Sequence, residues 1–349
     1  MMSCVINLIL ILFVILYIFF RKFNQFKLKK MFDMDILNGN SDETIFINDA
    51  EIIIEKDPSM KLDNGYIIFG KYEVKKHIGS GNMSEVYLVK NMKIGNLWAL
   101  KIINYSDNAG LFAEEGILRN INHISIPNIV DIFYKGNTVY IIEDYIEGVS
   151  LDKLIKENGN FSQKQIINWG IELCEILSYL HNKKPYPIIF RDLKPSNIII
   201  TNNNKLVLID FGISKFKGSD KSDYISSGTK KYAPYEQFSN EKITDEKTDI
   251  FSLGMVLSEC ILGYLPVNKN DFKKMINFVD VEIVLILMKS ITNNREKSYG
   301  FVNDMKKDLE SVNSLFLKKY NRKNILRIMN ILLLLVSIYF IWEGLKLFL

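Results

Sequence analysis

Hydrophobic positions follow three different patterns along the chain. From Val5 to Phe20 the sequence VINLILILFVILYIFF is apolar except for Asn7 and holds no charge, and from about Ile325 to Trp342 a second apolar block reads ILRIMNILLLLVSIYFIW. Each predicts a helix long enough, or nearly so, to cross the hydrocarbon core of a bilayer. Between the blocks the pattern changes. Alternation around a glycine turn in YEVKKHIGSGNMSEVYLV, starting at Tyr72, and the apolar run GNLWALKII after it predict strand, loop, strand, strand. The spacing of Ile117, Leu118 and Ile121 in AEEGILRNINHI predicts a helix, VYIIEDYI a further strand, and NWGIELCEILSYLHN a long helix that leads into IIFRDLKPSNIII. Residues 31–70 read as a linker with polar and acidic stretches such as NGNSDET. Its apolar run, IFINDAEIII, can add a strand, and no chemistry is assigned to it.

Charge decides how the two apolar blocks are read. Arg21, Lys22, Lys27, Lys29 and Lys30 follow the first, and Lys318, Lys319, Arg322, Lys323 and Arg327 precede or just enter the second. A cleavable signal peptide carries its positive charge before the apolar run, so the first block reads as a retained membrane span over 5–20. In the second, over 325–342, Arg327 is near enough to the end to snorkel to the headgroups. Both basic flanks border the central region. The positive-inside rule therefore predicts a multi-pass protein of the cell membrane with two spans, its central region cytoplasmic and both termini on the opposite side. A buried core helix, or a helix lying in the membrane plane, is the alternative for either block. Composition is otherwise globular: 349 residues, 48% hydrophobic and 24% charged, leave room for one large domain or two ordinary ones. With 44 basic against 40 acidic residues the net charge is +4, too small to argue for nucleic acid as a partner, and much of the excess lies beside the apolar blocks, where it reads as charge facing a lipid bilayer. Cys4, Cys174 and Cys260 show no C-x-x-C spacing, which points to neither a zinc site nor a disulfide framework and fits a reduced compartment.

The central region holds residue types that handle phosphate. Gly79 and Gly81 let backbone amides approach a phosphate with no Cβ in the way, and Val86 can roof a base; alone, these glycines are equally a plain hairpin turn. Lys101, in WALK, interrupts an apolar strand, a poor place for a surface lysine, and can meet phosphates as a point charge. Its ion-pair partner is expected from the following helix, with Glu114 better aligned and Glu115 second. His123 reads as a packed or capping histidine. Farther on, FRDLKPSN places Asp192, Lys194 and Asn197 in one short string and LVLIDFGIS adds Asp210. An amide and a carboxylate oxygen suit a hard divalent cation.

In this order and spacing the residues resemble the eukaryotic-type protein kinase family over roughly Tyr72 to Ser311, and the Lys-Pro of RDLKPSN is similar to its serine/threonine branch. The resemblance implies an α+β, bilobal protein-kinase fold over 71–311, with a β-rich N-lobe and a helical C-lobe, flanked here by the two transmembrane helices. It implies ATP in the cleft with Mg2+, and transfer of the γ-phosphoryl group of MgATP to serine and threonine hydroxyls of protein substrates at the cytoplasmic membrane face. Asp192 then accepts or orients the hydroxyl proton, Lys194 offsets charge on the transferred group, and Asn197 and Asp210 hold the metal. Nucleotide binding falls to Ile78, Gly79, Ser80, Gly81, Val86, Ala99, Lys101, Glu114, Glu143 and Tyr145, with Glu143 at the gatekeeper position before the hinge. Thr229 resembles the threonine that contacts the catalytic loop, Glu236 the glutamate of the Ala-Pro-Glu motif, and TDIFSLG the start of a long central helix, with Asp249 bracing the catalytic loop.

Four departures stand out. Ser84 replaces a third glycine, Phe190 the His or Tyr before Arg-Asp, and Pro234 and Tyr235 the Ala-Pro before Glu236. Ser298 occupies the place of the arginine that pairs with Glu236, with Arg295 close enough to substitute. None removes a catalytic group, which favours an active enzyme over a pseudokinase scaffold, and GTKKYAPYEQ favours a protein over a small-molecule substrate. Arg191 beside Asp192 suggests that a phosphate on Ser219, Ser222, Ser226, Ser227 or Thr229 orders the activation segment. Membrane attachment would favour self-association for autophosphorylation.

Overall fold

A computed structural model describes residues 62–80, 84–104, 117, 121–211, 214–216, 231–237, 244–315 and 333. By its contacts the chain divides into Met1–Phe46 and Ile47–Leu349, and every described residue belongs to the second unit. The predicted spans over 5–20 and, Leu333 apart, 325–342 lie outside the described residues, as does the IFINDAEIII run. Among the described residues no helix is long and apolar enough to cross a membrane.

The alternation that begins at Tyr72 becomes β2 (Tyr72–Ser80), β3 (Ser84–Asn91) and β4 (Leu97–Asn104), joined by β5 (Ile129–Lys135), β6 (Thr138–Asp144) and a short leading strand, β1 (Ile67–Ile68). They form one antiparallel sheet in the order β1-β2-β3-β4-β6-β5. Period two sorts its side chains: Tyr72, Val74, Val89, Leu100, Ile102 and Ile142 bury on one face, and Ile103, Val139 and Ile141 on the other. The end of the linker joins this sheet. Phe69, at φ 50°, stacks on Phe133 with ring centroids 4.2 Å apart, and Lys71 Nζ meets Asp131 Oδ2 at 2.6 Å. These contacts run from the first edge of the sheet to the last.

After β7 (Gly148–Ser150) the pattern becomes helical, with α1 (Leu151–Asn158), α2 (Gln163–His181), α3 (Glu246–Leu262), α4 (Lys269–Met275), α5 (Val281–Ser290) and helical residues 302–315. Helix α2 contains nearly all of the predicted stretch and starts a turn earlier, because Ser162 and Gln165 form a reciprocal capping box. Helix α3 is buried almost all round and is the central helix of this part, as the resemblance implies. A Cβ at Gly254 would come within 2.0 Å of Ser290 Oγ, so glycine is what lets α3 approach the end of α5. Two small sheets, β7 with β9 (Ile198–Thr201) and β10 (Leu206–Leu208), and β8 (Ile188–Ile189) with β11 (Lys215–Phe216), carry the loops of the site. Under them lies a core that includes Leu173, Phe190, Leu193, Phe211 and Leu253. The α+β class and the division into a β-rich and a helical part are as expected.

Candidate active site

Lys101 stands in the middle of the large sheet because β4 lies between β3 and β6. It pairs in register with Val86 on one side and Ile141 on the other, and only 5% of it is exposed. A lysine so buried requires a charged or strongly polar partner. One comes from the helical part of the fold: Lys101 Nζ lies 2.7 Å from Asp210 Oδ1. Asp210 follows β10 with φ 68°, a left-handed conformation that costs a non-glycine residue energy and that the surroundings must hold.

The loop between β8 and β9 supplies the second cluster. Lys194 Nζ lies 2.7 Å from Asp192 Oδ2, and Asn197 Nδ2 donates to the Asp192 carbonyl at 2.9 Å and to its Oδ2 at 3.1 Å. The N–H of Ile209 donates to the Asn197 carbonyl at 2.9 Å, which sets Asn197 beside the residue preceding Asp210. With its amide nitrogen committed to Asp192, Asn197 offers Oδ1, a hard oxygen of the kind magnesium takes, and Asp210 adds a carboxylate. By donor type the pair fits that ion. Among the described residues no group of three or more His, Cys, Asp or Glu could hold a metal.

Asp249, fully buried in the first turn of α3, braces that loop from below. It accepts hydrogen bonds from the N–H groups of Phe190 at 2.9 Å and Arg191 at 2.7 Å, and its Oδ2 is 2.7 Å from His181 Nε2. These bonds hold Arg191 at φ 72° and so fix the direction from which the chain enters Asp192. Phe190 is a packing residue, fully buried and edge-on to Phe211 with centroids 5.0 Å apart; its carbonyl accepts from Ser214 Oγ at 3.0 Å. Sequence reasoning gave His181 and Ser214 no role. The one available signal was a histidine continuing the apolar stripe of Leu173, Leu177 and Leu180 on α2.

The protein kinase domain family model matches residues 72–343. The chain belongs to the protein kinase family. Over 212 residues this kinase is 32% identical to a probable serine/threonine-protein kinase of Clostridium perfringens, a match covering 58% of this chain and 30% of the relative. It is 30% identical over 210 residues to the serine/threonine-protein kinase PrkC of Bacillus subtilis, covering 58% and 32% respectively. A plant relative, CBL-interacting protein kinase 11 of Oryza sativa subsp. japonica, is 28% identical over 223 residues, with 61% and 44% covered. The kinase is thus similar to eukaryotic-type serine/threonine-protein kinases, and it spans less than half the length of these three relatives.

The expected nucleotide residues of the kinase lie mostly on the large sheet. Gly79 and Ser80 end β2 in register with Val86 and Glu85, and Ala99 pairs with Glu143 across β4 and β6. Ile78 is exposed and Tyr145, beyond β6, is half-buried. Gly81, Glu114 and Glu115 lie outside the described residues, as do Ser219, Ser222, Ser226, Ser227 and Thr229. Ile117 and Ile121 are buried, in keeping with the apolar spacing of their stretch. His123 is a packed, capping histidine: its Nδ1 accepts from the Ser125 N–H at 3.1 Å, its ring lies 4.8 Å from that of Tyr179, and burial lowers its pKa.

Arg295 takes the place left by Ser298. Its guanidinium holds Glu236 Oε1 through Nη1 and Asp245 Oδ2, at 2.6 Å, through Nη2. Since Asp245 also caps α3, this fork ties the Glu236 turn to the helix that braces the catalytic loop. A cavity of about 380 Å³ opens beside Lys194, with Asp152, Tyr232 and Glu259 in its wall. Tyr232 donates to Glu259 Oε2 at 2.6 Å, and burial raises the Glu259 carboxyl above its ordinary range.

Proposed function

We propose that this kinase moves the γ-phosphoryl group of ATP, with magnesium, onto serine and threonine hydroxyls of protein substrates at the cytoplasmic face of a cell membrane that it spans twice. The observation that carries the catalytic part is the 2.7 Å pairing of Lys101 with Asp210, beside a loop in which Asp192, Lys194 and Asn197 are already joined to one another. Lys101 meets the α and β phosphates as a point charge. Among the described residues a Cβ at Gly79 would meet nothing within 4 Å, so their packing gives no reason for glycine there, whereas close approach of a phosphate does. Val86 and Ala99 frame the base. Asn197 and Asp210 would hold magnesium, which when bound neutralises charge on the phosphate oxygens. Asp192 orients the incoming hydroxyl and takes its proton as the new phosphorus–oxygen bond forms and ADP leaves. Lys194, 2.7 Å from Asp192, offsets charge on the group in flight.

Lys101→Met is expected to weaken MgATP binding by roughly 10- to 100-fold, the loss of one charge-assisted contact. Titration calorimetry on the intact chain checks it, and unchanged affinity would remove Lys101 from the phosphate site.

The membrane part of the proposal rests on the uncharged run over 5–20, the apolar run over 325–342 and the basic residues flanking each on the inner side, with 31–70 as a juxtamembrane linker. Reporters fused to both termini are expected to read the non-cytoplasmic side. A cytoplasmic reading from either one contradicts the two-span arrangement. Confinement in a membrane plane raises the effective concentration of copies and favours phosphorylation of one by another.

A further inference from the structure

Successive carbonyls of the loop between β8 and β9 each accept a hydrogen bond from a side chain. The Phe190 carbonyl takes Ser214 Oγ at 3.0 Å, the Arg191 carbonyl takes Gln237 Nε2 at 3.3 Å, and the Asp192 carbonyl takes Asn197 Nδ2 at 2.9 Å. The middle bond has a mechanical consequence. Each peptide unit is a rigid plane, and a residue is aimed by the two soft dihedrals between its planes. Asp249 holds the plane that carries the Arg191 N–H, at 2.7 Å. Gln237 holds the next plane, which carries the Arg191 carbonyl and leads directly into Asp192. Between the two planes the chain turns at Arg191 with φ 72°, a conformation that its neighbours must maintain. Gln237 is itself well anchored. It is 3% exposed and ends the 3-10 turn Tyr235–Gln237, and its N–H donates to the Pro234 carbonyl at 3.1 Å. Glu236, just before it, is gripped by the Arg295 fork that also holds the cap of α3, the helix that carries Asp249. Burying an amide costs free energy that an apolar side chain of the same length would avoid. What glutamine supplies here is an N–H donor for the loop.

We propose that Gln237 is a positioning residue for phosphoryl transfer: by holding the Arg191 carbonyl it fixes the peptide plane from which Asp192 projects, and so aims the Asp192 carboxylate at the incoming hydroxyl. The inference rests on the kinase reaction proposed above. Gln237 acts through Asp192 and takes no part in the chemistry itself. A reacting group misplaced by about 1 Å can cost about a hundredfold in rate. The loss at Gln237 is smaller, because Lys194 and Asn197 still bond to the Asp192 carboxylate. Lys101 stands on the large sheet, outside this loop, so its hold on the phosphates does not depend on Gln237. The rate of transfer therefore falls while affinity for MgATP stays.

The test is a double-mutant cycle on the intact chain, with labelled ATP and a generic protein substrate, each rate divided by the number of MgATP sites that titration calorimetry counts in the same preparation. Gln237→Met keeps the length of the side chain and removes the donor; Gln237→Glu keeps its shape and puts an acceptor in the donor's place. Both are expected to lower kcat per site by about tenfold, with KM for MgATP within about twofold of the parent. In the Asp192→Asn background, where there is no carboxylate left to aim, Gln237→Met is expected to change the rate by less than about twofold. A kcat per site within about twofold of the parent in both single variants overturns the proposal. A tenfold loss that recurs in full in the Asp192→Asn background overturns it too, since Gln237 would then act on something other than Asp192. So do variants that bind no MgATP, which would make Gln237 a residue of the fold alone. A parent that binds MgATP and transfers no phosphate refutes the kinase reaction itself, and with it this inference.

Discussion

Asp192→Asn is expected to lower the rate of phosphate transfer to protein by about a hundredfold or more, with the fold intact. Among the described residues, Lys194 Nζ at 2.7 Å and Asn197 Nδ2 at 3.1 Å both bond to the same oxygen of the side chain, Oδ2. Asparagine can present its own oxygen there and keep both. Its amide nitrogen then stands at the position of Oδ1, a donor where the incoming hydroxyl needs an acceptor. The loss should therefore appear in the chemical step, with the thermal unfolding midpoint little moved. Steady-state rates with labelled ATP and a melting curve on the same preparation separate the two. Transfer within about tenfold of the parent would take Asp192 out of the reaction as a proton acceptor.

Asp249→Ala is expected to act in the opposite way, through stability first. The substitution removes the acceptor for the buried N–H groups of Phe190 and Arg191 and the partner of His181 at one stroke. Breaking a buried, hydrogen-bonded charge of this kind costs about 3–5 kcal/mol. For a folded body of this size that is a fall of roughly 10 °C in the unfolding midpoint. Activity should fall further than stability explains, because Arg191 at φ 72° loses the acceptor of its N–H and Asp192 follows it directly. Differential scanning calorimetry with parallel rate measurements below the new midpoint checks both parts. A midpoint within about 2 °C of the parent would mean that the loop is held by something other than Asp249.

Much of this was legible in the chain, for reasons that differ from place to place. The strands β2 to β4 announce themselves because each buries one face, which writes period two into YEVKKHIGS and its successors. Asp192, Lys194 and Asn197 are close in sequence and become close in space, so a string sufficed to find them. The Lys101 pairing shows where local reading stops. Its expected partner, Glu114, lies outside the described residues, whereas Asp210, which lies 2.7 Å from its Nζ, is 109 residues away and belongs to no local pattern. His181 and Asp249 are 68 residues apart, and no periodicity in α2 distinguishes a histidine that will meet a buried acid from one that closes a helix. Strand β1 is too short to show alternation, and it is placed by its pairing with β2, with Phe69 just after it stacked on Phe133. The substitution of Arg295 for Ser298 was open on spacing alone; the fork between Glu236 and Asp245 decides it.

Phosphoryl transfer by the intact chain is the most direct test of the proposed kinase reaction, measured as labelled phosphate from γ-labelled ATP on a generic protein substrate and on the chain itself, followed by phosphoamino-acid analysis. The expected result is magnesium-dependent label on serine and threonine that both Asp192→Asn and Lys101→Met lose. Tight binding of MgATP with no transfer to any acceptor would contradict it, and would make the cluster of Lys101, Asp192, Asn197 and Asp210 a nucleotide-binding scaffold without a reaction.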